Sequence, residues 1–365
     1  MTEILLRPRI GVAGTGWWAT QFHIPSLLQY EGVELVAIAD SDKVRLAAAA
    51  NLYGITSTYE SAESLIKSGT IDGIVVATTS ASHYAICRTA LEHGIHVMVE
   101  KPMVLHATEA WELVELAKSK HLHLTIGYTF QHTKAAKRVR EIIQGGGIGE
   151  LVHISGLFAS MVEAFYRGVP EEYASVFNWP ITGPSESTYS NSDNSGGGQA
   201  QTQITHAMGM VLYATGQSVV DVSAYMNNRD LQVDLADAIA YRLESGVVGT
   251  MASTGNLRPG DPQQQEFRYY GTKGFILHDM VAGTLFARYD NGETEEISGS
   301  EVGDPYPAFA TARHLADLIA GRDSNRAPSE DAARVVEFLE ASYLSAEMHE
   351  PVNPMLLREA SKKSL

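Results

Sequence analysis

The sequence predicts an α/β domain followed by an α+β domain that contains a large, mostly antiparallel open sheet. Over residues 1–127, short apolar strands alternate with helical patterns, which is typical of a mostly parallel sheet with helices on both faces. After that point, long strand-like runs follow one another without helices between them, as in antiparallel sheets. The length of 365 residues also favours two domains over a single core. We therefore expect one domain over residues 1–127 and a second over residues 128–365.

Composition excludes several classes of protein. The net charge is -16 with a pI near 5.2, and no basic block is present, which excludes binding along a nucleic-acid backbone. The N-terminus lacks the pattern of an export signal, and no apolar run approaches the ~18 residues that span a bilayer. We expect a cytoplasmic metabolic protein with no membrane or nucleic-acid partner.

The single cysteine, Cys87, excludes an intrachain disulfide and a multi-cysteine metal site, and we predict no metal site. Cys87 lies in a predicted helix, where a free cysteine usually packs as a small apolar residue. We expect it to be a packing residue and not a nucleophile.

A glycine-rich turn follows the first predicted strand, residues 9–13. Gly14 allows a tight turn, Gly16 lets the backbone approach a pyrophosphate, and the small Ala19 lets the next helix lie close to the strand. The pattern predicts a dinucleotide site, although a plain strand-to-helix turn can look the same. Trp17 and Trp18 either shield a nicotinamide in this turn or pack under the second domain.

Asp40 ends the second predicted strand, residues 33–39. A carboxylate at this position can accept both hydroxyls of an adenosine ribose and repels a 2′-phosphate, which favours NAD over NADP. Lys43 and Arg45 lie close enough in sequence to weaken that preference. Asp40 could also serve as the N-cap of the next helix, residues 44–51.

Small hydroxyl residues follow the third predicted strand, residues 73–77. Thr78, Thr79 and Ser80 can line a cofactor and cap the helix predicted over residues 84–93. His83, at the start of that helix, either contacts the cofactor or acts as a local cap or packing residue.

Glu100 and Lys101 stand at the end of the apolar strand predicted over residues 95–99. Ligands in open parallel sheets bind at the carboxyl ends of the strands, and a lysine held there can have its pKa lowered towards neutrality. Lys101 is therefore a candidate catalyst. The alternative is a lysine that marks the end of the strand and points to water.

The second half changes character after the glycines at 145–149. Strands are predicted over residues 151–158, 221–226, 237–243 and 247–253, and helices over 309–320 and 330–347 are expected to pack back onto the body. Residues 163–195 look irregular and are either functional or a plain surface loop. Its aromatic residues could form a wall for a sugar ring or an aromatic group: Phe165, Tyr166, Tyr173, Phe177 and Trp179.

A second glycine turn, residues 196–198, leads into a helix that carries polar groups. Thr202 and His206 are four residues apart and so share one face of a helix. A histidine with a pKa near the reference value of ~6.5 is a natural acceptor for an alcohol proton. The alternative is a buried histidine bonded to its own helix.

These segments together resemble the glucose-fructose oxidoreductase and inositol dehydrogenase family, also called Gfo/Idh/MocA, over essentially the whole chain. The resemblance rests on Gly14-Thr15-Gly16, on Ala77-Thr78 through His83, and on the run over residues 90–102 that ends in Glu100-Lys101-Pro102. Gly127-Tyr128 and the closing helix from Glu330-Asp331 add to it.

The resemblance implies a Rossmann domain that binds NAD and a second, open-sheet domain through which homo-oligomers form. It also implies hydride transfer between nicotinamide and a sugar-like carbinol. By the same transfer, Lys101 is similar to the family's lysine beside the nicotinamide and His206 to its catalytic histidine. Some family members keep the nicotinamide bound between turnovers.

This chain departs from the family pattern at three places. The family usually has an aspartate four residues before the histidine and another acid three residues after it, where this chain has Thr202 and Gly209. Thr202 and Gln203 would replace the carboxylates by neutral hydrogen bonds. Gln131 and His132 stand where the family often has arginine or asparagine, which leaves the local cofactor contacts open.

We predict an NAD-dependent oxidoreductase that oxidises a secondary hydroxyl of a sugar, glycoside or cyclitol, with C3 of a glucosyl unit favoured. His206 takes the hydroxyl proton, Lys101 polarises the oxygen or relays that proton, and Thr202 supports both. The expected substrate-binding residues are Lys101, Tyr128, Tyr166, Trp179, Gln199, Thr202, Gln203 and His206. The neutral cluster of Gln199, Gln201, Thr202 and Gln203, together with the aromatic loop, favours oxidation at C3 of a glucosyl unit.

Two alternatives stay open. One is an NADP(H)-dependent reductase of keto-sugars or dihydrodiol-type substrates, and the other is a regulator that senses NAD(P) without catalysis.

Overall fold

The first sheet is parallel, as predicted, and it has six strands, one of which, Thr58–Tyr59, the sequence did not indicate. The computed structural model describes residues 6–362, with side chains through residue 358. The sheet order is β3-β2-β1-β4-β5-β6. The strands are β1 Arg9–Ala13, β2 Glu34–Ala39, β3 Thr58–Tyr59, β4 Gly73–Val76, β5 His96–Val99 and β6 Leu124–Ile126. The order in which successive strands are added to the sheet reverses between β1 and β4, so a crevice opens at the carboxyl ends of these two strands.

Helices cover both faces of this sheet. The first begins with a π-turn, Ala19–His23, that continues into α1. The helices are α1 Ile24–Leu28, α2 Lys43–Tyr53, α3 Ala62–Lys67, α4 His83–Glu92, α5 Ala107–Lys120 and α6 Lys134–Gln144. Cys87 is fully buried between α4 and the sheet, in agreement with a packing role.

The second sheet has eight strands in the order β14-β13-β12-β11-β7-β10-β9-β8. All neighbours are antiparallel except β7 and β10. The strands are β7 Leu151–Ala159, β8 Val219–Asn227, β9 Ala236–Leu243, β10 Val248–Thr254, β11 Gln264–Gly271, β12 Gly274–Asp279, β13 Thr284–Tyr289 and β14 Thr294–Ile297. The mostly antiparallel sheet is confirmed, and β11 to β14 extend it beyond the strands that the sequence predicted.

Residues 163–195 are a chain of short helical turns and not an irregular loop. The turns are α7 Glu163–Tyr166, a 3-10 turn Pro170–Tyr173, α8 Ala174–Phe177, α9 Ser187–Ser190 and α10 Ser192–Ser195. The segment has its own small core around Phe165 and Tyr173. It is also tied to the first domain, because Gln21 Nε2 donates to the carbonyl of Phe177 at 3.0 Å.

The remaining helices connect the two sheets. A second π-turn, Ala200–Ile204, leads into α11 Thr205–Thr215, and the chain ends with α12 Ala310–Ile319, α13 Ser329–Met348 and α14 Met355–Lys362. α12 packs against β4, β5 and α1, while α13 packs against β8 and α5, so these helices return to the body as predicted. None of the helices in the described residues is long and apolar enough to cross a membrane.

Candidate active site

A single large cavity joins the carboxyl ends of the first sheet to the second sheet. Its volume is about 930 Å³. Most of the predicted site residues line it: Gly14, Gly16, Trp17, Trp18, Asp40, Thr78, Thr79, Ser80, His83, Glu100, Lys101, Tyr166, Thr202, Gln203 and His206. The two domains therefore bring the predicted cofactor turn and the predicted proton-transfer residues into one space.

Three predicted substrate residues lie outside the lining of this cavity. Gln199 is completely buried, and its amide donates to Ser253 Oγ at 2.8 Å and to Ser160 Oγ at 3.2 Å. Tyr128 is 3% exposed and packs beside His206, while Trp179 lies on a shallow surface depression. These residues support the wall of the site from behind or beside it.

The glycine turn has the space that a dinucleotide needs. Gly14 has a φ of +92°, and a Cβ there would lie 2.5 Å from the carbonyl oxygen of Ala77, so only glycine fits. At Gly16 the same added atom would meet nothing within 4 Å, which leaves open room above the backbone. Residues 14–16 and the hydroxyls of Thr78, Thr79 and Ser80 would hold the cofactor here.

Asp40 lines the cofactor side, but its oxygens already have partners. Thr15 donates to it from N at 2.7 Å and from Oγ1 at 2.9 Å, and Arg45 donates from Nε at 3.0 Å and from Nη2 at 2.8 Å. Burial alone would raise the pKa of Asp40, but these bonds outweigh burial and lower it. Asp40 is not the helix cap, because Asp42 accepts from the N–H groups of Val44 and Arg45.

Arg45 should therefore set the strength of the NAD preference. In Arg45→Ala, Asp40 loses the cation that neutralises it and repels a 2′-phosphate more strongly. We expect the ratio of NADH to NADPH affinity to rise by about tenfold or more, since a hydrogen bond to a charged group contributes roughly 1.5–3 kcal/mol. Fluorescence titration with each nucleotide measures the ratio. Lys43→Ala is the control, because Lys43 pairs with Glu60; an unchanged ratio in Arg45→Ala would exclude this role.

Glu100 is held by two side chains from the first helix of the chain. Its Oε1 accepts from Trp18 Nε1 at 3.0 Å and contacts His23 Nε2 at 2.8 Å, and its Oε2 accepts from the N–H of Lys101 at 3.2 Å. Residues five apart point about 140° away from each other in a regular α-helix. The π-turn Ala19–His23 removes that offset, so Trp18 and His23 reach the same oxygen.

Lys101 points into the cavity and not to water. Its Nζ donates to the carbonyl oxygen of Thr202 at 3.3 Å. Burial lowers the pKa of Lys101, while the carboxylate of Glu100 acts in the opposite direction. A lysine whose pKa is lowered gives up its proton more readily than an exposed lysine, which suits a role in proton transfer.

His83 lies behind Lys101 and connects two loops. It is 1% exposed, and its ring nitrogens contact the carbonyl oxygens of Pro102 at 3.0 Å and Thr78 at 3.2 Å. Burial lowers the pKa of His83, so the ring is neutral and donates to one of the two carbonyls at a time. This geometry agrees with the packing alternative, at a position that also borders the cavity.

His206 stands among aromatic rings, and no acid among the described residues influences its pKa. Its ring stacks on Phe158 at 6.3 Å and meets Phe130 edge-on at 5.8 Å. Its Nδ1 is buried and has no hydrogen-bond partner among the described residues. Burial first, and the charge of Lys101 second, lower the pKa of His206 well below its ordinary value. The imidazole is therefore a neutral base, and it is not bonded to its own helix.

The two missing family carboxylates have structural explanations. At Gly209, an added Cβ would lie 3.1 Å from the ring of Tyr128, so an acidic side chain there would require the buried ring to shift. At Thr202, the hydroxyl instead bonds the hydroxyl of Tyr166 at 2.5 Å. Tyr166 in turn donates to Gln199 Oε1 at 3.2 Å, so a neutral network replaces an anion.

Restoring the carboxylate at 202 should shift the pH profile. Thr202→Asp places an anion beside Lys101 and one turn before His206, and a nearby opposite charge favours the protonated form of both. We expect the acid limb of log kcat/KM to move up by about one pH unit or more. Thr202→Asn is the neutral control and should leave the limb in place. An identical limb in Thr202→Asp and Thr202→Asn would contradict the charge argument.

Several lining residues carry no sequence signal. Phe22, Phe130 and Tyr306 reach the cavity from three separate segments, and Gln263 and Gln265 reach it from the start of β11. Gln265 is 6% exposed, and its Oε1 has no partner among the described residues. Only the tertiary fold brings these side chains together, so no local spacing could have indicated them.

Another buried carboxyl, Asp237, lies near Asp234. Asp237, on β9, is 5% exposed, and no described group donates a hydrogen bond to either of its oxygens. Burial, with a further contribution from the charge of Asp234, raises the pKa of Asp237 to about 9. Asp234 itself accepts from the N–H groups of Gly198 at 2.8 Å and Ala200 at 2.6 Å, and from the hydroxyl of Tyr343 at 2.6 Å.

Asp237→Asn should therefore stabilise the protein above neutral pH. The folded state keeps a proton that the unfolded state releases above about pH 4, so this one group lowers the free energy of unfolding by about 1.4 kcal/mol per pH unit from there towards pH 9. Asparagine has nearly the same shape and does not titrate, so its advantage should grow with pH, to a few kcal/mol at pH 8.

Urea unfolding at pH 5 and pH 8 measures this difference. Asp234→Asn is the control of opposite sign, because an amide cannot accept all three hydrogen bonds of that carboxylate. Parallel pH curves for wild type and Asp237→Asn would show that Asp237 is ionised in the folded protein.

Comparison with known families gives matches in both domains. A family model described as an oxidoreductase family with an NAD-binding Rossmann fold matches residues 8–128. A second model, described as the GFO/IDH/MocA C-terminal domain, matches residues 136–277. Together they cover most of the chain.

Individual relatives are distant. The rhizopine catabolism protein MocA of Rhizobium meliloti is 33% identical over 152 residues, which is 41% of this chain and 47% of that protein, so the match spans about half of it. The D-glucoside 3-dehydrogenase of Escherichia coli strain K12 is 24% identical over 356 residues, or 93% of this chain and 95% of that protein.

A solved structure shares the whole fold. Levoglucosan dehydrogenase, in complex with NADH and levoglucosan, superposes with a TM-score of 0.79 over 95% of this chain and 99% of that chain. The sequence identity is 19%, so this likeness concerns the fold alone.

Proposed function

The chain belongs to the Gfo/Idh/MocA family of NAD-binding oxidoreductases, and from this premise we propose that it oxidises a secondary hydroxyl of a neutral sugar or glycoside. One observation carries the proposal: the Lys101 ammonium and the neutral His206 imidazole border one cavity that also contains the glycine turn. NAD, when bound at that turn, supplies the hydride acceptor. The protein's part is to place the hydroxyl and to remove its proton.

The two ionisable groups divide that work. His206 is unprotonated at neutral pH and takes the hydroxyl proton, while Lys101 polarises the oxygen and stabilises the negative charge that develops on it. The hydrogen bond from Lys101 Nζ to Thr202 holds the ammonium in place. Apolar rings around His206 exclude water, which strengthens these interactions.

We further propose that the substrate is a glycoside that is oxidised at C3 of a glucosyl unit. Gln203, Gln263 and Gln265 offer neutral hydrogen bonds suited to sugar hydroxyls. The full-length similarity to an E. coli protein named D-glucoside 3-dehydrogenase supports the same choice. A cyclitol would meet the same donors and acceptors and belongs in any test.

The experiment is a turnover panel analysed by mass spectrometry. Protein, NAD and one of glucose, methyl β-D-glucoside or a cyclitol are incubated, and the product is examined for loss of two hydrogens and for its position on the ring. We expect a 3-keto product from the glucoside. Absence of oxidation across the whole panel would refute the proposed function, and oxidation at another carbon would refute C3 alone.

We also propose a homo-oligomer through the open face of the second sheet. Tyr225, Val248 and Tyr270 are exposed by 76%, 51% and 38% on that face. Apolar groups gathered on one uncovered face usually mark an interface. Light scattering should give a multiple of the 39.6 kDa chain mass for the wild type and a monomer for Val248→Glu; a monomeric wild type would refute the proposal.

A further inference from the structure

Four aromatic rings form a continuous wall that leads from His206 to the mouth of the cavity. In order along the wall from His206 they belong to Phe130, Tyr306, Trp18 and Phe22, and we call them the aromatic wall. Phe130 lies 5.8 Å from His206 and 5.1 Å from Tyr306, measured between ring centroids. Tyr306 lies 6.3 Å from Trp18, and Trp18 lies 4.4 Å from Phe22.

The wall is held by a hydrogen bond at Trp18 and is partly exposed at Tyr306. Trp18 donates its indole N–H to Glu100, so only its ring surface is free for a ligand. The turn that carries Val281 packs closely on the segment before Tyr306. At Gly283 in this turn, an added Cβ would lie only 2.8 Å from Val302 and 3.0 Å from Pro305. Tyr306 is nevertheless 36% exposed and Val281 38% exposed, and both line the cavity. Exposed apolar groups at a cavity mouth gain stability when a ligand covers them.

The charges around the cavity exclude an anionic occupant at this wall. Within the described lining, the only lysine and arginine are Lys101 and Arg45. Arg45 is bound to Asp40 at the cofactor turn, and Lys101 lies at the reacting centre. Glu100 is occupied by Trp18 and His23. A phosphate or a nucleoside diphosphate on the substrate would therefore find no cation along the aromatic wall.

We propose that the aromatic wall binds a flat, apolar aglycone, so that the substrate is a neutral aryl glycoside. This inference rests on the proposed oxidation of a glycoside. With the sugar hydroxyl held at His206, the group attached to the sugar extends along Phe130 and Tyr306 towards the mouth, where offset or edge-on ring contacts are available. Free glucose would use only the inner part of the cavity.

The test compares phenyl β-D-glucoside with methyl β-D-glucoside. We expect wild type to prefer the phenyl compound by about tenfold or more in kcat/KM, which corresponds to one well-packed aromatic contact. Tyr306→Ala should reduce the preference to about threefold or less, while Tyr306→Phe retains it. Phe22→Ala is a second variant with the same expectation, in case Tyr306→Ala does not fold. Leu52→Ala, a change at an exposed apolar residue outside the cavity, should leave both rates unchanged.

A binding measurement separates this inference from the proposed function. Calorimetric titration of phenyl β-D-glucoside into the protein with NADH should show binding that weakens about tenfold in Tyr306→Ala, with no turnover required. Two outcomes would overturn the aglycone site alone while glucosides are still oxidised. One is a phenyl-to-methyl ratio of kcat/KM near one in wild type, and the other is a ratio that Tyr306→Ala leaves unchanged. Failure to oxidise any sugar would instead overturn the function.

Discussion

Lys101→Met should lower kcat by about 10²–10⁴-fold, because positioned acid–base and charge-stabilising groups contribute on this order. Methionine has a similar length but has neither a charge nor a proton. The change also removes the cation that helps to lower the pKa of His206. We expect the affinity for NADH to stay within about threefold of wild type, since binding of the cofactor depends mainly on the glycine turn.

Two further variants sharpen this result. Lys43→Met is the matched control, because Lys43 is exposed and pairs with Glu60 outside the cavity. Lys101→Arg keeps the positive charge but cannot release a proton near neutral pH. If Lys101→Arg recovers part of the kcat that Lys101→Met loses, the role of Lys101 is to polarise the oxygen. If kcat is equally low in both variants, its role is to carry the proton. Near-normal turnover in Lys101→Met would contradict any catalytic role.

His206→Asn should lower kcat by roughly 10²–10³-fold, because asparagine is polar but cannot accept a proton as a base. The wild-type pH profile carries a second signature. A base is active when it is unprotonated, and the pKa of His206 lies well below the ordinary histidine value. We therefore expect the rate to be constant through neutral pH and to fall only at a pH below the usual histidine range. The acid limb should disappear in His206→Asn.

Initial rates between pH 5 and pH 9 with saturating NAD measure both effects. Gln203→Asn is the control, because Gln203 lines the same cavity as His206 but does not titrate. This variant should keep the acid limb of the wild type. An acid limb near pH 6.5 in wild type would show that His206 is solvated and not enclosed by Phe158 and Phe130. A limb that persists in His206→Asn would assign the titration to another group.

The parallel sheet and the position of Lys101 could be predicted because their signals are local. Short apolar strands alternate with helices in the chain order, and a residue directly after a strand must lie at its carboxyl end. The glycine turn is equally local, since Gly14 and Gly16 meet backbone requirements that neighbouring residues alone impose.

The support of Glu100 could not be predicted in this way. Trp18 and His23 share a face only because the helix widens into a π-turn between them, and the usual 3.6-residue period separates them. A second π-turn, Ala200–Ile204, has the same consequence before His206. Gln199 is buried outside the cavity lining, while Thr202 and Gln203 line the cavity. The regular helical period of 3.6 residues does not predict this division.

Other parts of the site depend on distant segments. Asp237 occupies an inward position of β9, where alternation predicts an apolar residue, and its high pKa arises from burial beside Asp234. Tyr306 belongs to a segment with no strand or helix of its own and reaches the cavity because α12 returns to the first sheet. Neither feature has a signature in the neighbouring sequence.

The central claim is that a sugar carbinol carbon gives its hydride to NAD at the site bordered by Lys101 and His206. A glucoside that carries deuterium at C3 tests this most directly, by mass analysis of the reduced nucleotide after a single turnover. We predict that wild type forms reduced nucleotide that carries the deuterium. In Lys101→Met, we expect turnover to be lost and no labelled nucleotide to form. The same experiment can be repeated with glucosides that carry deuterium at each of the other ring carbons in turn. Reduced nucleotide that carries no deuterium in any of these experiments would contradict the claim.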